Sequence, residues 1–132
     1  MYLAHFDSHD HQLRFPEMAL HLRRKGAQVL TYPSAWATTT GPPHWQSLLR
    51  ARAIESQCWI IAPAQVGPHN EKRSSYGHGM IVDPWGVVRA ELGGAEIAFE
   101  PVLAVVDIEL ELVDKVRQQI PLQRRWDVYP DI

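Results

Sequence analysis

Few side chains in this sequence have the types and spacing that chemistry needs. Its single thiol is Cys58. A cysteine nucleophile acts as a thiolate, so it needs a cation, a base or a helix N-terminus to lower its pKa. Cys58 opens the run Cys-Trp-Ile-Ile-Ala, where burial raises a thiol's pKa and makes the side chain a small apolar core residue. Asp10 offers a carboxylate, but carboxylates attack phosphoryl and glycosyl centres rather than amides, and no base stands beside it. His5, Asp7, His9 and His11 alternate, so on a strand they share one face and could ligate zinc or nickel. Their spacing is unlike a closed structural site, and chain starts are often poorly ordered. We therefore expect no metal and no cofactor. Arg14 and Glu17 are three apart at a helix start, which fits an i, i+3 ion pair.

These residues must be positioned by elements. Phe15, Met18, Ala19 and Leu22 repeat at helical spacing, Pro16 suits a first turn, and Gly26 suits a left-handed cap. This predicts a helix over Pro16–Lys25 with those four on its buried face. A short strand follows at Gln28–Tyr32, then a loop from Pro33 to Pro43. A second helix is expected from near Pro43 to Gln57, with Trp45, Leu48, Leu49 and Ile54 inward and Arg50, Arg52 and Glu55 on its polar face. Cys58–Ala62 reads as a buried strand and Val66–Tyr76 as a polar loop. Asp83-Pro84-Trp85-Gly86 is strong turn chemistry, so Gly77–Val82 and Val87–Glu91 form a hairpin. Val102–Ile108 reads as a further strand and Glu109–Gln119 as a third helix. Strands alternating with helices, plus a hairpin, give an α/β (α+β layered) class.

Several blocks in this order resemble a known family. Leu13-Arg14-Phe15-Pro16-Glu17, Leu30-Thr31-Tyr32-Pro33-Ser34-Ala35, Gly41-Pro42-Pro43-His44-Trp45, Leu49 to Glu55 and Tyr76 to Gly86 resemble the nitrilase superfamily of carbon–nitrogen hydrolases. The likeness is nearest the deaminated glutathione amidase branch and the nitrilase part of nitrilase–Fhit fusions. It covers residues 13 to 129 and places the chain as the C-terminal half of the nitrilase α-β-β-α sandwich. Residues 13–132 are then one domain part, and residues 1–12 a divergent N-terminus. The resemblance implies hydrolysis of small amides, deaminated glutathione and ω-amides, by a Glu–Lys–Cys triad. The Glu and Lys belong to the other half of that family's fold, and Asp10 stands where the cysteine belongs. No catalytic residue is therefore expected here, and the chain alone is expected to be inactive. The resemblance makes Arg14, Pro33, Ser34 and Ala35 pocket candidates, with Arg14 near the substrate entrance reading a carboxylate. It gives Glu17, Arg52, Glu55, Asp83 and Gly86 structural roles, Arg52 and Glu55 as a partly buried ion pair.

The composition excludes other classes. A formal charge of -2 and no Lys/Arg run longer than three argue against nucleic acid. No apolar stretch approaches the roughly 20 residues of a membrane span, and one cysteine excludes an internal disulfide framework. A cytoplasmic location follows, with mitochondria also used by the family. One sheet face should carry both early helices, and the other should be left apolar, with Ile60, Met80, Ile81 and Val105 on it. Such a face favours association, as a homo-oligomer or as an assembly module paired with a nitrilase-family relative.

Overall fold

The computed structural model describes the backbone of Leu3–His5 and residues 12–94, 101–125, 127 and 128. Asp10 and the set Asp7, His9 and His11 lie outside the described residues.

The order is β1 (Leu3–His5), a 3-10 turn (Gln12–Arg14), α1 (Pro16–Arg24), β2 (Val29–Thr31), α2 (Gly41–Ser56) and β3 (Trp59–Ala62), then β4 (Val66–Asn70), β5 (Arg73–Tyr76), β6 (Met80–Val82), β7 (Val88–Glu91) and α3 (Leu110–Gln119). Five strands form a mixed sheet in the order β1-β2-β3-β6-β7, and β4 and β5 form a separate antiparallel ribbon. β1, β2 and β3 run parallel because α1 and α2 are the crossovers between them, and β6 and β7 return antiparallel through a tight turn.

The pleat assigns the strand residues to two layers. Leu30, Ile60, Ala62, Met80 and Val82 turn toward α1 and α2 and pack with Leu13, Ala19, Trp45 and Leu49. Val29, Trp59, Ile61 and Ile81 turn the other way. The expectation that this second face stays open is corrected: Val106, Ile108, Leu110, Leu112 and Val113 cover part of it. α3 is fixed there by Trp59 Nε1 donating to Glu109 O at 3.1 Å and Arg117 Nη2 donating to Ala27 O at 2.8 Å. Ile60 and Met80 belong to the helical layer, not the second face, because register places each one residue out of phase with Ile61 and Ile81.

Four further expectations are corrected. Val66–Tyr76 is a ribbon rather than a loop, its turn closed by Lys72 N donating to Asn70 Oδ1. The segment 102–108 is not a strand: it runs beside the second face without joining a ladder, leaving Leu103 84% and Val105 82% exposed. Phe15 caps α1 in an extended conformation instead of joining its buried face, and both Phe15 and Met18 are exposed. Arg52 is buried and Ile54 exposed, the reverse of the faces assigned to α2.

Candidate substrate wall

β2 and β3 end side by side, and the chains beyond them stay paired. Tyr32 N donates to Ile61 O, Ser34 N to Pro63 O and Gln65 N to Ser34 O, at 2.9, 3.0 and 2.9 Å. This extension of the ladder holds open a cavity of about 290 Å³ lined by Pro33, Ser34, Ala35, Pro63, Ala64 and Gln65. Its size suits a small substrate. The Ser34 hydroxyl donates to Tyr32 O at 3.3 Å. Sequence reasoning found the first three lining residues; Pro63, Ala64 and Gln65 followed only from the parallel register.

Arg14 does not line this cavity; it touches Trp36, which follows the lining residue Ala35 in the chain. Its Cζ lies 4.5 Å from the ring centroid of Trp36, the neighbour of Ala35, and its Nη1 lies 3.2 Å from His44 Nδ1. The 3-10 turn that carries it is fixed from below, where buried Arg52 donates through Nε to Leu13 O at 3.0 Å. The ion pair with Glu17 is not formed: Glu17 Oε2 is buried without a hydrogen-bond partner. Among the described residues no carboxylate pairs with Arg14. Arg14 is thus held by two rings and forms no ion pair with the described residues.

Trp36 is the residue that sequence reasoning missed. It is buried, meets His44 edge-on at 6.3 Å and Trp45 at 5.7 Å, and its Nε1–H has no acceptor among the described residues. Trp45 Nε1 donates to His78 O at 2.7 Å, and the His78 ring stacks on Tyr76 at 4.1 Å. The available signal was a large aromatic inside a loop otherwise made of small and polar residues.

Cys58 is fully buried, and its Sγ donates to Ala27 O at 3.2 Å and Ser56 O at 3.3 Å. Burial pushes its pKa up, while the Ser56 contact and the cations Arg117 and Arg23 only partly oppose this. No substrate reaches this sulfur.

The pattern of blocks on this framework has a match among known proteins. The carbon-nitrogen hydrolase family profile matches residues 11–118. The chain belongs to that family. It is similar to a probable hydrolase of Schizosaccharomyces pombe, at 58% identity over 120 residues that cover 91% of this chain and 43% of that one. It is similar to deaminated glutathione amidase of Mus musculus, at 50% identity over 121 residues, 90% of this chain and 36% of that one. Its fold matches the crystal structure of the Caenorhabditis elegans NitFhit protein with a TM-score of 0.82 and 45% identity, over 96% of this chain and 30% of that one. The chain therefore spans less than half the length of these relatives, and its fold is part of the nitrilase α/β fold.

Within this carbon–nitrogen hydrolase chain the remaining motif residues brace the wall. Arg52 Nη1 donates to Glu55 Oε2 at 2.8 Å while its Nε supports the 3-10 turn. Asp83 is fully buried and accepts from Trp85 N, Val87 N and Arg89 Nε at 2.9, 3.0 and 2.7 Å. Gly86 has φ +81°, and a Cβ there would meet Ile54 at 2.7 Å. Its carbonyl accepts from Arg50 Nε at 2.8 Å, tying the hairpin turn to α2.

Proposed function

We propose that this chain supplies the substrate-binding wall of a hydrolase of small amides, such as ω-amides and deaminated glutathione, and does not complete the cleavage by itself. The observation that carries the reading is Arg14. A guanidinium held on an aromatic ring beside a small cavity, with no acid to neutralise it, suits the carboxylate of a substrate whose amide enters the cavity. The second part rests on the thiol. A Glu–Lys–Cys triad needs a sulfur within reach of substrate, the sequence has one cysteine, and that one is buried. Asp10, at the position the motif gives to the nucleophile, is a poor nucleophile toward amides.

The test compares succinamate, an amide with a carboxylate, with neutral succinamide. Succinamate should bind the chain about tenfold more tightly, and Arg14→Gln should remove the difference. Equal binding of both ligands by the native chain would refute the reading.

A second reading, an assembly module that pairs with another nitrilase-family chain, is favoured by exposed Leu103 and Val105 on an extended segment outside any ladder. Exposed apolar side chains of this kind favour association. Sedimentation at micromolar concentration should show a dimer or larger species that Leu103→Lys with Val105→Lys converts to monomer; a native monomer would dismiss this reading.

A further inference from the structure

Arg14 is held by two uncharged rings, and that arrangement carries a chemical requirement. A guanidinium has donors only. At 3.2 Å from Arg14 Nη1, His44 Nδ1 must therefore be the acceptor, which makes the imidazole neutral with its proton on Nε2. We propose that His44 is a positioning residue for substrate: its neutral ring fixes the Arg14 guanidinium over Trp36 to take the carboxylate of an ω-amide, and its protonation releases Arg14. This rests on the carboxylate-reading role of Arg14 proposed above.

The surroundings support the switch. The groups that face the ring are the Arg14 guanidinium from the 3-10 turn and the Trp36 indole from the loop. His44 is also in the first turn of α2, close to the positive end of that helix's dipole, with its own N–H donating to Thr40 O at 3.2 Å. Among the described residues no carboxylate pairs with His44. A proton on Nδ1 would set donor against donor and cation against cation, with nothing nearby to compensate. Arg14 would retain only its contact with the Trp36 face, which restrains position but not the direction of the N–H fork.

The experiment uses the isotopically labelled chain and sodium succinamate, with binding and ring chemistry read by NMR. Long-range proton–nitrogen spectra should show Nδ1 bare and Nε2 protonated. Protonating the ring should lower affinity about tenfold, in step with the His44 ring shift in the same spectra, over a range in which the probe stays an anion because carboxylates titrate near about pH 4. His44→Asn keeps an acceptor close to the Nδ1 position without titrating, so it should retain affinity and abolish the pH step. His44→Leu should bind, whatever the pH, as weakly as the native chain does with its ring protonated. A neutral ring protonated on Nδ1, a pH step that survives in His44→Asn, or unchanged affinity in His44→Leu would overturn the proposal. Arg14→Gln separates the two claims. If it binds succinamate as well as the native chain, the role of Arg14 fails and this inference with it. If it loses affinity while the His44 variants do not, only His44 is refuted.

Discussion

At the scale of the residue, buried Cys58 and Tyr32 make the chain's stability depend on alkaline pH. Burial is the first cause of the raised pKa of both groups. Each holds its proton more tightly when folded than unfolded. Their contribution is therefore complete below the ordinary values of 9.0 for the thiol and 10.0 for the phenol, and is lost as pH rises above them. The unfolding midpoint should fall above about pH 9, and Cys58→Ala should flatten the start of that fall. A profile unchanged by Cys58→Ala would mean that the thiol ionises freely in the folded chain. The character of Cys58 was legible in the sequence because its apolar neighbours, Trp59, Ile60 and Ile61, are adjacent. The partner of Arg14 was not legible, because His44 is thirty residues away and competes with Glu17, only three away. The nearer residue forms no ion pair with Arg14, and its Oε2 is buried without a hydrogen-bond partner.

At the scale of the element, the β6–β7 hairpin shows what local sequence can specify. Asp83, Pro84 and Gly86 fix a turn within four residues, and the structure puts it where the motif does. One buried carboxylate collects two backbone N–H groups and half-exposed Arg89, so Asp83→Ala should cost about 2 kcal/mol, the scale for leaving buried donors unsatisfied. Chemical denaturation checks this, and a loss below about 1 kcal/mol would show that water replaces the carboxylate. The ribbon β4–β5 was illegible for the opposite reason. Its alternating positions are largely exposed and polar, so no hydrophobic period marks it as strand. α1 shows a third case. Phe15 and Met18 fall at helical spacing with Ala19, yet the 3-10 turn held by Arg52 sets where the helix begins and leaves both outside the core.

At the scale of the whole molecule, the proposed function divides binding from chemistry. Paired extensions of β2 and β3 make a cavity, α2 contributes His44 to Arg14 and Arg52 to the turn beneath it, and the hairpin is tied to α2 by Arg50. The layer of early helices was legible from periodicity, while the strand order follows only from the observed pairing. The extent to which α3 covers the second face was not legible, since Val106 and Ile108 could equally have joined a ladder. The central claim is that this wall holds an amide without cleaving it. Ammonia release from deaminated glutathione and succinamate, followed with purified native chain and Cys58→Ala, tests it directly. The account predicts no release above the protein-free blank for either. Turnover by the native chain that disappears in Cys58→Ala would contradict it and make Cys58 the nucleophile.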